Sequence, residues 1–112
     1  MERHLRFSAR SERDAVIVDV VGQIDMGTSP ALRKALLESL NSTGRVAINL
    51  TEVTYIDSSG IASLLEVLQE AKKSKKRVIL FGLTPSVLYV LQLTRLTGVF
   101  EIQETELQAL EA

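Results

Sequence analysis

The chain has 112 residues, enough for one domain and for a core that buries roughly two-thirds of its unfolded surface. Its 46% apolar and 24% charged residues exclude a disordered segment, and a formal net charge of −1 offers no electrostatic footprint for direct nucleic-acid binding. It has no cysteine, no apolar run behind Met1–Arg6 of the kind a secretory signal needs, and no window near the about 18 apolar residues of a membrane span, so disulfides, thiolate chemistry and membrane insertion are excluded and a single cytoplasmic domain over 1–112 is expected.

Two strands open the chain, about Leu5 to Ser11 and Ala15 to Val21. The short polar stretch Glu12-Arg13-Asp14 joins them as a hairpin. Gly22 is expected to end the second strand, with a loop from Gln23 to Pro30 behind it. Ser29 before Pro30 reads as an N-cap followed by proline at the first helical position. Leu32, Ala35, Leu36 and Leu40 then share one helical face, and the helix should stop near Asn41-Ser42-Thr43-Gly44.

Arg45 to Leu50 is β-like and mostly apolar, as a central strand covered on both faces should be. Ile61, Leu64, Leu65 and Leu68 follow at amphipathic helical spacing. That helix ends near Lys72-Lys73-Ser74-Lys75-Lys76-Arg77, which reads as a solvated helix end with cations at the negative end of the dipole. A nucleic-acid or lipid patch is the weaker alternative, because no aromatic residue interleaves the charges.

Arg77 to Phe81 is a further buried strand, closed by Gly82. Thr84-Pro85 repeats the cap-then-proline signal for a helix running through about Thr94 and stopping near Gly98. Its stretch from Pro85 to Leu93 is apolar nearly all round, either core or a surface for a homodimer or another partner. Val99 to Ile102 is expected as a last strand and Glu104 to Glu111 as a terminal helix. The order predicts an α/β fold: a mixed sheet of four to five strands with an N-terminal β-hairpin, flanked by about four helices.

The stretch Asp57-Ser58-Ser59-Gly60 lies where the central strand hands over to a helix. Helix starts carry unsatisfied amides and partial positive charge, so Asp57 or Ser58 can cap the helix while Gly60 eases the turn. A catalytic serine would need a base, but the one histidine, His4, precedes the first strand and no G-x-S-x-G elbow occurs. Asp14, Asp19, Asp25 and Asp57 lack the spacing of a metal site, and one glycine makes no phosphate cradle; no metal, cofactor or enzymatic activity is expected. A phosphate received by Ser58 is the remaining reading. It would add about −1.5 to −2 charge at a place where the helix dipole tolerates it, while blocking a docked partner.

Four segments together resemble the STAS domain family, and within it the free-standing bacterial anti-sigma factor antagonists. They are Val20-Val21-Gly22-Gln23-Ile24-Asp25, Val46-Ala47-Ile48-Asn49-Leu50, Val53-Thr54-Tyr55-Ile56-Asp57-Ser58-Ser59-Gly60-Ile61, and Leu91-Gln92-Leu93-Thr94-Arg95-Leu96-Thr97-Gly98-Val99-Phe100. The resemblance implies a STAS fold and a signalling switch. The unphosphorylated antagonist binds an anti-sigma factor that is also a serine kinase, and so frees a sigma factor. The kinase phosphorylates the serine that maps onto Ser58, and a PP2C-type phosphatase resets it. Asp25, Thr28, Asp57, Ser59, Gly60 and Ile61 fall in the phosphosite environment or partner surface. Where the family often has glycine, this chain has Ala62. Some relatives of the same kind are cytoplasmic subunits of lipid ABC transporters that dock on an ATPase, and this is the alternative.

Overall fold

The computed structural model describes residues 5–112; His4 lies outside the described residues. The elements, in order, are β1 (Leu5–Glu12), β2 (Ala15–Ile24), α1 (Ser29–Ser42), β3 (Arg45–Ile56), α2 (Ser58–Lys73), β4 (Arg77–Phe81), α3 (Pro85–Leu93), β5 (Glu101–Gln103) and α4 (Glu106–Glu111). The strands form one five-stranded sheet in the order β1-β2-β3-β4-β5. β1 and β2 are antiparallel, and every later pair is parallel. The predicted mixed sheet, opening hairpin and four helices are therefore all present.

Right-handed crossovers that step one way across a sheet deliver successive helices to the same face. Accordingly Leu32, Leu36 and Leu40 of α1, Ile61, Leu64 and Leu68 of α2, and Val87 and Leu91 of α3 share one core with Val18, Val20, Ile48, Leu50 and Leu80 of the sheet. Each such leucine, fully buried, contributes roughly 1.5–3 kcal/mol. The other face holds a smaller cluster of Ile17, Ala47, Ile79 and Phe81, covered by Ala109 of α4.

Three arginines tie α4 to that second face. Arg10 bridges Asp19 at 2.7 Å and Glu106 at 2.6 Å. Arg45 donates to the Leu110 carbonyl at 2.5 Å, and Arg77 to the Ala112 carbonyl at 2.7 Å. The Arg10 bonds hold the carboxyls of Asp19 and Glu106 below their usual range. Capping of α4 is complete: Thr105 and Gln108 exchange side-chain bonds with each other's backbone.

Several boundaries moved, each for a physical reason. Gly22 does not end β2; it takes φ 118° at an irregularity in the β2–β3 register, and the strand runs on to Ile24. β3 is twice the predicted length and reaches Ile56, because the parallel pairing with β2 carries its polar second half. It is covered on both faces only as far as Leu50; Thr51, Glu52, Thr54 and Tyr55 are exposed. Ser29 is not the cap of α1 but its first residue, after Thr28. Thr84, by contrast, caps α3 as expected, accepting from the Val87 amide at 3.4 Å. The last strand forms at Glu101–Gln103 rather than Val99–Ile102, since only these residues meet β4.

The near-continuous apolar run of α3 is not wrapped on all sides. Val87 and Leu91 are buried, whereas Tyr89 is 60% and Leu93 64% exposed. In the lysine cluster, Lys72 and Lys73 occupy the last turn of α2 as predicted. Lys76 does something else: its ammonium donates to the Leu40 carbonyl in the last turn of α1.

Candidate functional site

A single residue, Asp57, separates the end of β3 from the start of α2. Its backbone is still extended, and its amide donates to the Ile24 carbonyl at 3.1 Å, carrying the β2–β3 pairing one bond past the strand. The first amides of α2 have no acceptor within the helix. Asp57 supplies one: its Oδ1 accepts from the Ser59 amide at 2.9 Å and the Gly60 amide at 3.1 Å. The same oxygen accepts from the Ser59 hydroxyl at 2.6 Å. These donors hold the Asp57 carboxyl below the usual carboxylate range. The Ser59 hydroxyl contributes most, partial burial opposes it, and the amides of Gly60, Ser59 and Met26 add to it.

The two adjacent serines therefore differ. Ser59 is partly buried, bound to Asp57, and 3.5 Å from the Ser29 hydroxyl. Ser58 is exposed, and its hydroxyl makes no hydrogen bond with the described residues. Neither sequence spacing nor capping preference separates them. The helix start does, by turning one hydroxyl in and the next one out.

The β2–α1 loop lies alongside. Asp25 is only 6% exposed, and its Oδ1 accepts from the Gly27 amide at 2.9 Å. The Thr28 hydroxyl accepts from the Asp25 amide and donates to the Gln23 carbonyl, both at 2.9 Å. Asp25 and Thr28 thus shape their own turn. The turn meets α2 through the Met26 amide on Asp57 and through Ser29 on Ser59. Segments about thirty residues apart thus come together.

Gly60 and Ile61 are buried and build the turn from inside. A methyl group on Gly60 would lie 2.6 Å from Ile56 Cγ1 and 2.7 Å from Ile24 Cγ2. On the outside, Ala62 is exposed one helical turn beyond Ser58. Met26, which sequence reasoning passed over, is 77% exposed in the neighbouring loop. Its only sequence signal is a large apolar residue in an otherwise small, polar loop.

The chemistry available here is limited. Ser58 has no base within hydrogen-bond reach among the described residues, so its hydroxyl is not an activated nucleophile in this chain alone. It is a free hydroxyl at the positive end of a helix, beside a carboxylate already occupied by other donors. It can accept a group only if another molecule removes its proton.

Asp57→Ala is expected to lower stability by about 1 kcal/mol at neutral pH through loss of the cap. The carboxyl's lowered pKa means its contribution is present above the unfolded value near 4 and is lost as pH falls through the folded value. Melting temperatures of the two proteins should therefore converge in acid. A gap that persists unchanged below pH of about 2 would show that capping by the charged group is not what the substitution removes.

Comparison with known proteins gives consistent results. The family model for the STAS domain matches residues 6–109. An anti-sigma-B factor antagonist of Listeria monocytogenes is 33% identical over 98 residues, which are 85% of this chain and 86% of that protein. The solved structure of an anti-sigma factor antagonist from Mycobacterium paratuberculosis superposes with a TM-score of 0.86 at 25% identity, covering 96% of this chain and 92% of that one. The anti-sigma factor antagonist SpoIIAA in its unphosphorylated form has the same fold, with a TM-score of 0.79 at 22% identity over 95% of this chain and 94% of that one.

Proposed function

We propose that this chain, which belongs to the STAS domain family, works as an anti-sigma factor antagonist whose binding is switched by phosphorylation of Ser58. Unphosphorylated, it docks on an anti-sigma factor that is also a serine kinase, and the sigma factor held there is released. The names of its curated relatives support the antagonist role. The observation that carries the choice of residue is the contrast at the start of α2: Ser58 exposed and unbonded, Ser59 drawn in by Asp57.

The chemistry belongs to the partner. A base on the kinase takes the Ser58 proton while Oγ forms a bond to the γ-phosphorus of ATP. The bond to the bridging oxygen breaks, and ADP leaves. The phosphate brings about −1.5 to −2 charge to a helix N-terminus, where the dipole offsets it by roughly 0.3–1 kcal/mol. The fold is therefore retained while the docking surface gains negative charge. Met26 and Ala62, exposed beside Ser58, are the apolar contacts the partner would cover. A PP2C-type phosphatase hydrolyses the phosphoserine to restore the first state, and the cycle runs in the cytoplasm. Among the described residues no helix is long and apolar enough to cross a membrane.

The direct test is incubation with the cognate anti-sigma factor kinase and ATP, followed by peptide mapping. The expected product carries one phosphate on Ser58 and none on Ser59. Modification of Ser59 with Ser58 untouched would refute the assignment. A permease and an ATPase as the proteins co-purifying with the chain, in place of a kinase, would favour the transporter reading.

A further inference from the structure

The outer edge of β1 is a second surface, separate from the Ser58 turn. β1 is eight residues long, stands at the end of the sheet and, among the described residues, is paired only on its β2 side. The two-residue turn Arg13-Asp14 closes on the pair Glu12–Ala15. In such a hairpin that pair is the hydrogen-bonded one, so Arg6, Ser8, Arg10 and Glu12 turn their backbone groups toward β2. The N–H and C=O groups of Phe7, Ala9 and Ser11 point outward. Sheet edges are normally blunted by shortness, charge or cover. β5, at the other edge, has three residues. β1 has none of this protection along its middle, because Arg10 is drawn onto the α4 face by Asp19 and Glu106.

The face toward α1 is also incomplete. Ala9 and Ser11 are small, and a groove of about 450 Å³ runs between β1 and α1, with Val16 and Val18 on its floor and Ala35 on its wall. Phe7 stands at this groove, 36% exposed.

We propose that β1 pairs antiparallel with β1 of a second copy of this chain, in the register that sets Ala9 opposite Ala9 of that copy. A twofold axis perpendicular to the sheet keeps each face continuous, so residues opposed across the new pairing share parity. Phe7 then lies opposite Ser11 of the second copy and covers the small side chains beside its groove. Arg6 lies opposite Glu12, whose side chain is 46% exposed, and symmetry makes this pair twice. Sliding the register by two residues, to centre on Ser8, sets Arg6 against Arg10 instead. Charge thus selects the first register over the second. The two sheets merge into one, and the outward amides and carbonyls of both edges are satisfied.

The surface is independent of Ser58, and its test does not involve the kinase. Sedimentation velocity of the full chain, from micromolar to millimolar concentration, should show a monomer–dimer equilibrium. Arg6→Glu and Glu12→Arg should each weaken association about tenfold or more, by putting like charges opposite one another twice. The double variant restores the attraction and should restore the dimer. The chain has no cysteine, so Ala9→Cys introduces one thiol. Its counterpart would stand at a Cα separation of about 5.5 Å, within disulfide reach, and oxidation should cross-link the dimer. Gly44→Cys should not cross-link. A chain that stays monomeric throughout overturns the proposal. So does a dimer indifferent to both charge reversals, or an Ala9→Cys variant that stays uncross-linked.

Discussion

Ser58→Asp is expected to weaken binding to the anti-sigma factor by about 100-fold or more while leaving the circular dichroism spectrum unchanged. The argument compares two environments for one added charge. In the free protein the carboxylate enters the first turn of α2 from an exposed position, where the helix dipole favours it by a fraction of a kcal/mol. Asp57 beside it is repulsive, but its charge is already held by the Ser59 hydroxyl and two amides. The two effects are comparable and both small, so folding is little altered. In the proposed complex the same charge would be covered, and a like-charge or unpaired carboxylate at an interface costs several kcal/mol. About 2.7 kcal/mol already gives the factor of 100. Ser58→Ala, which adds no charge, should bind as the unmodified protein does and resist inactivation by the kinase. Titration calorimetry against the purified anti-sigma factor decides it: an Asp variant that binds within a few-fold of the unsubstituted chain would remove the electrostatic switch.

Gly60→Ala carries the largest expected effect on the fold, a loss of about 1–3 kcal/mol. The added methyl would press on Ile56 and Ile24, and it would also lie 3.1 Å from the Ile24 carbonyl oxygen. The two side-chain atoms are the first branches of β-branched residues, with no flexible end to swing aside. The carbonyl already accepts the Asp57 amide. Alanine's better helix propensity offsets part of this, by roughly 0.5–1 kcal/mol. The melting temperature should fall by several degrees, at about 4–8 °C per kcal/mol for a domain of this size. Gly44→Ala and Gly98→Ala, where nothing stands within 4 Å, serve as controls and should change little. Equal melting temperatures for all three variants would show that α2 does not start where close packing requires glycine. Because Ser58 lies on the same first turn, the Gly60 variant should also bind its partner less well than its folded fraction alone predicts.

The two effects separate what the residues of one turn do. Gly60 and Ile61 act from inside, by fitting α2 against the ends of β2 and β3. Ser58 faces outside, where the proposed kinase would reach it. Asp57 joins the two roles. It caps the helix and, in doing so, engages the neighbouring hydroxyl and leaves the other one free.

Much of this protein was written locally. The 3.6-residue spacing of Ile61, Leu64 and Leu68, the Thr84-Pro85 start of α3 and the apolar Arg77–Phe81 strand all reflect interactions between near neighbours, and each formed where its pattern predicted. The order of elements then constrained the sheet, since short right-handed connections leave few alternatives. Tertiary structure decided the rest. β2 passing through Gly22, and the polar half of β3, exist because each strand supplies the other's hydrogen bonds, which no local propensity records. The exposed side of α3 follows from its packing, which turns Val87 and Leu91 into the core and leaves Tyr89 and Leu93 outside, and Lys76 reaches the end of α1 from a distant loop. The physical difference between Ser58 and Ser59 is of the same kind: identical side chains, one residue apart, given different surroundings by the direction in which the first turn of a packed helix faces.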